Sequence, residues 1–278
     1  MPAFFISDIH LHPTRPQTVE QLLRVFKRMV KNTEQSPCKQ LFLLGDIFDA
    51  WIGDDDPEPL WQQIKQSLLQ LREQGFDLYW IAGNRDFLVG QRFMQETICQ
   101  ALVEPTAFIL EDGHRVVPLH GDLLCTQDVG YQRFRRVVRH PWVVRLYQSL
   151  ALGLRLGIAR QLRRLSRFSQ KQKTIPLSLN ELHKKKGEEG KKQAACHRGG
   201  ANEWINEAMS DALLNEHNAT TLIHGHIHRA GVYNRALLSD GKSRQVQRIV
   251  LGDWDAGPSV LVFKEGHFRF WNDVEGEW

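Results

Sequence analysis

The chain is 278 residues long, enough for one large domain or two modest ones at ~100–200 residues per domain. Hydrophobic residues make up 42% and charged residues 24%, a globular balance that excludes wholesale disorder, a collagen-like repeat and a coiled-coil rod. The 36 Lys and Arg against 32 Asp and Glu leave +4, a sum that argues neither for nor against an anionic partner.

A short apolar run followed by a polar turn recurs along the chain. FFIS (4–7) runs into Asp8-Ile9-His10. Residues 18–30 then carry apolar side chains at 19, 22, 23, 26, 29 and 30, the period of an amphipathic helix. LFLL (41–44) leads to Gly45-Asp46, a second helical pattern covers 60–71, and LYWIA (78–82) leads to Gly83-Asn84-Arg85-Asp86. VVPL (116–119) ends at His120-Gly121-Asp122. From 129 to 180 the character changes. There is no Asp or Glu but ten Arg and two Lys, so these 52 residues carry +12 and the rest of the chain −8. The segment is also apolar with helical period, through Trp142, Val143, Leu146, Tyr147, Leu150, Leu154 and Ile158. Residues 182–200 (LHKKKGEEGKKQAACHRGG) offer almost nothing to bury and are expected to form a flexible loop. The strand-and-turn pattern then resumes with TLI (221–223) into His224-Gly225-His226-Ile227-His228 and IVL (249–251) into Gly252-Asp253-Trp254. Runs this short, bounded by Gly and polar residues, predict buried strands. Their alternation with helices predicts a layered α/β fold.

The four cysteines, at 38, 99, 125 and 196, form no CxxC pair, which excludes a zinc knuckle and a small disulfide scaffold and points to a reducing cytosol. The opening MPAFFISDIHLHP has no basic leader and Asp8 and His10 break its apolar run, so no signal peptide is expected. The most membrane-like stretch, 142–159, contains Arg145 and Arg155, so no spanning helix is expected.

Ligands of α/β proteins bind beyond the carboxyl ends of the strands, where these polar turns are predicted to converge. Asp8 and His10, two residues apart, can face one cation. Asp46 can spread two oxygens over two cations, Asn84 offers an amide oxygen, and His120, His226 and His228 offer ring nitrogens. Mixed nitrogen and oxygen ligation suits Mn²⁺, Fe²⁺ or Zn²⁺, and a pair of such ions can activate water and neutralise a phosphoryl group. Singly, each residue has an ordinary reading. An Asp after a strand is often a helix cap, and a lone His is usually a satisfied core or surface residue. His12, His114, His140, His183, His197, His217 and His267 take that ordinary reading, while His224 is expected behind the ligands or in the core.

The ordered set Asp8-x-His10, Gly45-Asp46, Gly83-Asn84, His120-Gly121 and Gly225-His226-x-His228 resembles the calcineurin-like metallophosphoesterases over essentially the whole chain. The resemblance implies a four-layer α/β/β/α sandwich. It also implies a two-metal centre, with Asp8, His10, Asp46 and His228 on one ion and bridging Asp46, Asn84, His120 and His226 on the other. Many of these enzymes have a His after GN that protonates an alkoxide leaving group. Arg85 stands there in this chain. It donates no proton at neutral pH but forks well onto phosphate oxygens, so a phosphoanhydride is the expected bond.

Longer stretches narrow the resemblance. FISDIHL (5–11), LGDIFDAWIGDDDP (44–57), GNRDFLVGQRF (83–93), HGDLLCTQDVGYQRFR (120–135), HPWV (140–143) and IHGHIHR (223–229) look like the UDP-2,3-diacylglucosamine pyrophosphohydrolases of lipid A synthesis. This resemblance covers 3–173 and 202–263. It implies attack of metal-bound hydroxide on the α-phosphorus, giving UMP and 2,3-diacylglucosamine 1-phosphate, with two Mn²⁺ as cofactors. Asp46, Asn84, Arg85 and His120 would be catalytic. Asn84, Arg85, Asp128, Ser166, Gln170, Lys173 and His226 would contact substrate, Gln170 standing where the family commonly has Asn.

The expected domains are a core of 1–127 and 201–278, a basic, apolar helical lid over 128–173, and a loop over 174–200 that is an insertion relative to the family. The greasy, arginine-rich lid suits acyl chains, a phosphate and an anionic membrane surface. The expected partner is a nucleotide-linked glycolipid, with no nucleic acid and no obligate protein partner. The expected location is peripheral, on the cytoplasmic face of the inner membrane. WIGDDDP (51–57) reads as a charged loop beside the centre rather than a third metal site. Two rivals remain: a phosphodiesterase of a soluble nucleotide such as a dinucleoside polyphosphate, and a non-catalytic scaffold.

Overall fold

Alternation of side chains along the first strands sets the layering. A computed structural model describes residues 1–36, 38–161, 205–239 and 241–271. Strands β1 (Ala3–Ile6), β2 (Lys39–Leu44) and β3 (Phe76–Ile81) run parallel, side by side. Their Phe4, Ile6, Leu41, Leu43, Leu78 and Trp80 face helices α1 (Pro16–Asn32) and α2 (Pro59–Glu73), burying Leu22, Phe26, Met29, Trp61, Ile64 and Leu68. The opposite faces carry Phe5, Phe42, Leu44, Tyr79 and Ile81 toward a second sheet. Phe5, Phe42 and Tyr79 sit in register on adjacent strands and stack in a row, with centroids 4.7 Å apart at each step. Each such ring pair adds about 0.5–1.5 kcal/mol beyond its area burial. Both helices begin with Pro at the first turn, where the missing N–H costs nothing.

Helix α3 (Gln91–Thr97) and β4 (Gln100–Ala101) extend one side of this sheet, and β10 (Leu261–Lys264) and β11 (His267–Phe270) the other, in the order β11-β10-β1-β2-β3-β4. The second sheet comprises β5 (Phe108–Ile109), β6 (Arg115–Pro118), β7 (Thr221–His224), β8 (Gly231–Ser239) and β9 (Lys242–Val250), in the order β5-β6-β7-β9-β8. Its Val116, Ile223 and Ile249 meet the first sheet. Its Val117, Leu222 and Val246 turn the other way, onto Leu213 and Leu214 of a helix spanning Glu207–Glu216. The result is the expected α/β/β/α sandwich. The carboxyl ends of β1, β2, β3, β6, β7 and β9 release the six polar turns.

The basic segment differs from the single apolar stripe that its period predicts. Helices α4 (Val129–Val138) and α5 (Pro141–Gln148) are followed by a helical stretch at 152–161 (α6), which makes the Glu207–Glu216 helix α7. Val144 and Tyr147 pack on the helix-covered core, whereas Trp142, Leu146 and Leu154 are 71%, 67% and 61% exposed. The arginines divide too. Arg155 is 2% exposed and donates to Ile52 O at 2.9 Å, Leu150 O at 3.0 Å and Asp55 Oδ1 at 2.7 Å.

The WIGDDDP carboxylates are committed to the fold. Asp54 accepts from Trp51 Nε1 and the Gly90 and Phe93 amides, Asp55 holds Arg155, and Asp56 accepts from Trp61 Nε1. Among the described residues no helix is long and apolar enough to cross a membrane. Ser166, Gln170, Lys173 and the 174–200 loop lie outside the described residues.

Candidate metal centre

Backbone conformation marks the site before any side chain does. Asp8, His10, Asp46, His226 and His228 have φ of 51°, 54°, 52°, 69° and 56°. They are five of the eight described non-glycine residues with positive φ. Such conformations cost about 1–3 kcal/mol each and persist where the surroundings impose them, most often at functional sites. The turns also press together. A Cβ on Gly83 would overlap the amide and Oδ1 of Asp46, and one on Gly225 would overlap Asp8 Oδ2, so the glycines of GN and GH permit this approach.

The seven predicted metal ligands converge. His228 Nε2 lies 3.3 Å from Asp8 Oδ1 and 3.4 Å from His10 Nε2. Asn84 Oδ1 lies 2.8 Å from His120 Nε2 and 3.1 Å from His226 Nδ1, and His120 Nε2 is 3.7 Å from Asp46 Oδ1. Two sets of ligand atoms close to within 4.8 Å of one another: Asp8, His10 and His228, and Asp8, Asp46 and His120. Neighbouring groups hold these side chains in place. Ser7 Oγ and the His226 amide donate to Asp8 Oδ2 at 2.6 and 2.9 Å, and the Arg85 amide donates to Asp46 Oδ1 at 2.8 Å. His120 Nδ1, 2.9 Å from Leu44 O, donates to that carbonyl and leaves Nε2 turned to the acids.

The charges fit divalent cations. Among the described residues His10 Nδ1 is buried without a hydrogen-bond partner, and Asp8 Oδ1 is buried with only the His228 ring within reach. Burial, helped by Asp86 and Asp8 and opposed by His120, pushes the Asp46 carboxyl up to about 7. Burial works against a charged His120, yet Asp46, Asp8, Asp122 and Glu104 raise it to about 9. Burial, with Arg85 nearby, lowers His10 to about 3, and burial lowers His226 to about 4. For Asp8, burial is outweighed by the hydrogen bond to His228 and the charges of His120 and His228, which hold its carboxyl well below the usual range. Crowded buried carboxylates beside four imidazoles, of which His10 and His226 resist protonation and His120 and His228 are drawn toward it by the acids, fit a divalent cation, because a proton and a cation compete for the same lone pairs.

Arg85 stands beside this group. Its NH1 is 2.5 Å from Asp49 Oδ1, its Nε is 3.5 Å from Asp46 Oδ2, and its side chain is 37% exposed. Asp128 caps α4 through the Tyr131 amide at 3.0 Å, and the Tyr131 ring lies 6.3 Å from that of His226.

Several site residues escaped sequence reasoning. Asp253 Oδ2 lies 3.3 Å from His228 Nδ1, fixing that ring from behind. Asp86 accepts from the Gly83, Ile47 and Phe48 amides, tying the Asn84 turn to the Asp46 turn. Asp122 and Glu104 are buried beside His120. Asp253 and Asp122 each follow a glycine at a strand end, the signal that exposed Asp46, but nothing in sequence separates a ligand from its support. His224 takes the place expected for it, buried, with Nδ1 2.8 Å from Gly225 O and Nε2 3.2 Å from Arg248 NH1.

The calcineurin-like phosphoesterase family matches residues 1–230. The chain is similar to the UDP-2,3-diacylglucosamine hydrolase of Aeromonas salmonicida (strain A449), 38% identical over 269 residues that cover 97% of this chain and 92% of the relative. It is 37% identical to the enzyme of that name from Aeromonas hydrophila subsp. hydrophila, with 97% of both chains covered. To the one from Vibrio cholerae serotype O1 it is 34% identical, with 95% of this chain and 96% of the relative covered.

Proposed function

The chain belongs to the calcineurin-like phosphoesterases, a metal-dependent hydrolase family, and we propose that it hydrolyses the pyrophosphate bond of UDP-2,3-diacylglucosamine in lipid A biosynthesis. Water adds to the α-phosphorus, the bond to the bridging oxygen breaks, and UMP and 2,3-diacylglucosamine 1-phosphate leave. The observation that carries this choice of bond is Arg85, anchored on Asp49 beside Asp46 where a proton-donating His would serve an alkoxide. A departing phosphate monoester needs no proton, and a fixed guanidinium suits the non-bridging oxygens.

In this reading Asp8, His10, Asp46 and His228 would hold one divalent ion, Mn²⁺, and Asp46, Asn84, His120 and His226 would hold a second. When bound, the pair supplies a water acidified toward neutrality and positive charge against the phosphoryl oxygens. The Leu44 carbonyl keeps His120 Nδ1 protonated, so its Nε2 is the atom offered to the centre. Arg85 orients the pyrophosphate, with Asp128, Ser166, Gln170 and Lys173 completing the substrate contacts.

Residues 128–173 act as a lid over the acyl chains. Exposed Trp142, Leu146 and Leu154, with exposed Arg133, Arg136, Arg145 and Arg160 among them, suit acyl chains and an anionic membrane surface. The protein works peripherally, on the cytoplasmic face of the inner membrane.

The test is incubation with micellar UDP-2,3-diacylglucosamine and Mn²⁺. UMP release that disappears in Asp46→Ala is the expected result. No UMP from the unaltered protein refutes the substrate, and equal turnover of the deacylated nucleotide sugar favours the soluble-nucleotide alternative.

A further inference from the structure

The first helix of the basic segment does something that its charge does not suggest. Tyr131, Arg135 and Arg139 lie four residues apart on one face of α4 and its C-terminal cap, and all three reach a single carboxylate oxygen. Asp122 Oδ2 accepts from Tyr131 Oη at 2.8 Å, Arg135 Nε at 2.7 Å and Arg139 NH2 at 3.3 Å. Asp122 is fully buried and lies two residues beyond His120. The same arginines reach Glu104, whose side chain is 5% exposed: Arg135 NH2 is 3.4 Å and Arg139 NH1 3.9 Å from its Oε2. Its Oε1 accepts from the His120 amide. Arg139 NH2 also donates to Gly83 O at 2.7 Å, immediately before Asn84. One helix face therefore grips the two turns whose Asn84 Oδ1 and His120 Nε2 stand 2.8 Å apart.

We infer that α4 is a fixed strut of the catalytic core and that Arg139, with Arg135, is a positioning residue for the Asn84 and His120 metal ligands. Lifting the helix would leave two buried carboxylates without their counter-charges, a state that buried ion pairs strongly disfavour. It would also free the Gly83 carbonyl. The core then extends past 128 at least to Arg139, and Val144, Tyr147 and Arg155 tie the two following helices to it as well. The +12 segment and the −8 body meet at this contact. Two of its arginines are spent on holding ligands rather than on phosphate or membrane.

The inference rests on the two-metal reading above, so its test reads metal as well as turnover. Mn²⁺ stoichiometry and affinity are measured by equilibrium dialysis on the full chain, and kcat and KM on UDP-2,3-diacylglucosamine, for the unaltered protein, Arg139→Met and Arg139→Lys. Losses of outer groups that orient ligands run at about 10–100-fold. Arg139→Met is expected to weaken one of the two Mn²⁺ equivalents by that factor and to lower kcat similarly, with KM within about threefold. Arg139→Lys keeps the charge but cannot span Gly83 O and Asp122, so it recovers only part of both. Unchanged Mn²⁺ affinity and kcat in Arg139→Met overturn the inference. So does a rise in KM alone, which would make α4 a flap that touches substrate. Should Arg139→Met not fold, Arg139→Lys decides by the same split. Two bound Mn²⁺ in the unaltered protein without UMP release would refute the substrate and leave the metal-affinity result to judge the strut.

Discussion

Asp86→Ala should destabilise the protein by about 2–4 kcal/mol and loosen the metal centre without touching a ligand. Asp86 is completely buried. Its Oδ1 accepts from the Gly83 amide at 2.7 Å and its Oδ2 from the Ile47 amide at 2.8 Å, with a weaker contact to the Phe48 amide at 3.4 Å. A hydrogen bond to a charged group contributes about 1.5–3 kcal/mol, so the two short bonds contribute about 3–6 kcal/mol. Part of that offsets the desolvation of the carboxylate, which burial records by raising its pKa. The net is about 2–4 kcal/mol, or roughly 4–16 °C in Tm at about 2–4 °C per kcal/mol for a chain of this class. Asp86→Asn retains one acceptor and sets an amide NH2 against a backbone N–H, so it should cost about 1–3 kcal/mol. Guanidinium unfolding of the metal-free protein reads both values, and Mn²⁺ dialysis reads the centre. If both variants unfold within about 0.5 kcal/mol of the parent, the scatter of a neutral surface change, Asp86 is not the tie between the turns.

Arg85→Lys should lower kcat/KM on the pyrophosphate substrate by about 10–1,000-fold, because an ammonium cannot hold Asp49 and fork onto phosphate together; parental steady-state kinetics would remove Arg85 from the chemistry. Asp253→Asn should weaken Mn²⁺ binding by about 10–100-fold, since a carboxylate behind a ligating imidazole orients it and raises its basicity. Calorimetric titration checks this, and an unchanged affinity would make that carboxylate incidental. Trp142→Ser with Leu146→Ser should cut partition onto anionic vesicles while shifting unfolding by less than about 0.5 kcal/mol, since both side chains are exposed; undiminished cosedimentation would move the membrane contact elsewhere. Burial raises Cys99 to about 11 and Cys125 to about 12. A thiol reacts as thiolate, so at about pH 8 both should resist iodoacetamide in the native protein and react after unfolding. Peptide mapping that finds either one alkylated natively would contradict their burial.

The sandwich and the clustering of the candidate ligand residues were legible in sequence because both depend on short-range rules. Phe4 and Phe5 alternate between two cores because strand side chains alternate. Asp8, Asp46, Asn84, His120 and His226 each sit within a few residues of a strand's end, where the turn follows directly from the strand. The weak strands carried no such signal: β4 and β5 are two residues each, and β8 mixes apolar and polar residues on both faces, with Val232 and Leu238 exposed. The same limit governs the supports. Arg155 and Asp55 are 100 residues apart, and His226 and Asp8 are 218 apart. No period in the chain relates such pairs; α6 packing on the 51–57 loop makes the first, and the meeting of two sheets at one edge makes the second.

The charge shows the division most clearly. Sequence alone establishes that +12 and −8 are separated along the chain. Whether an arginine faces solvent or an acid of the body depends on what packs against it, so only the tertiary structure could turn Arg135, Arg139 and Arg155 inward onto Asp122, Glu104 and Asp55. Composition fixes how much charge there is to neutralise, and packing in three dimensions decides which charge meets which.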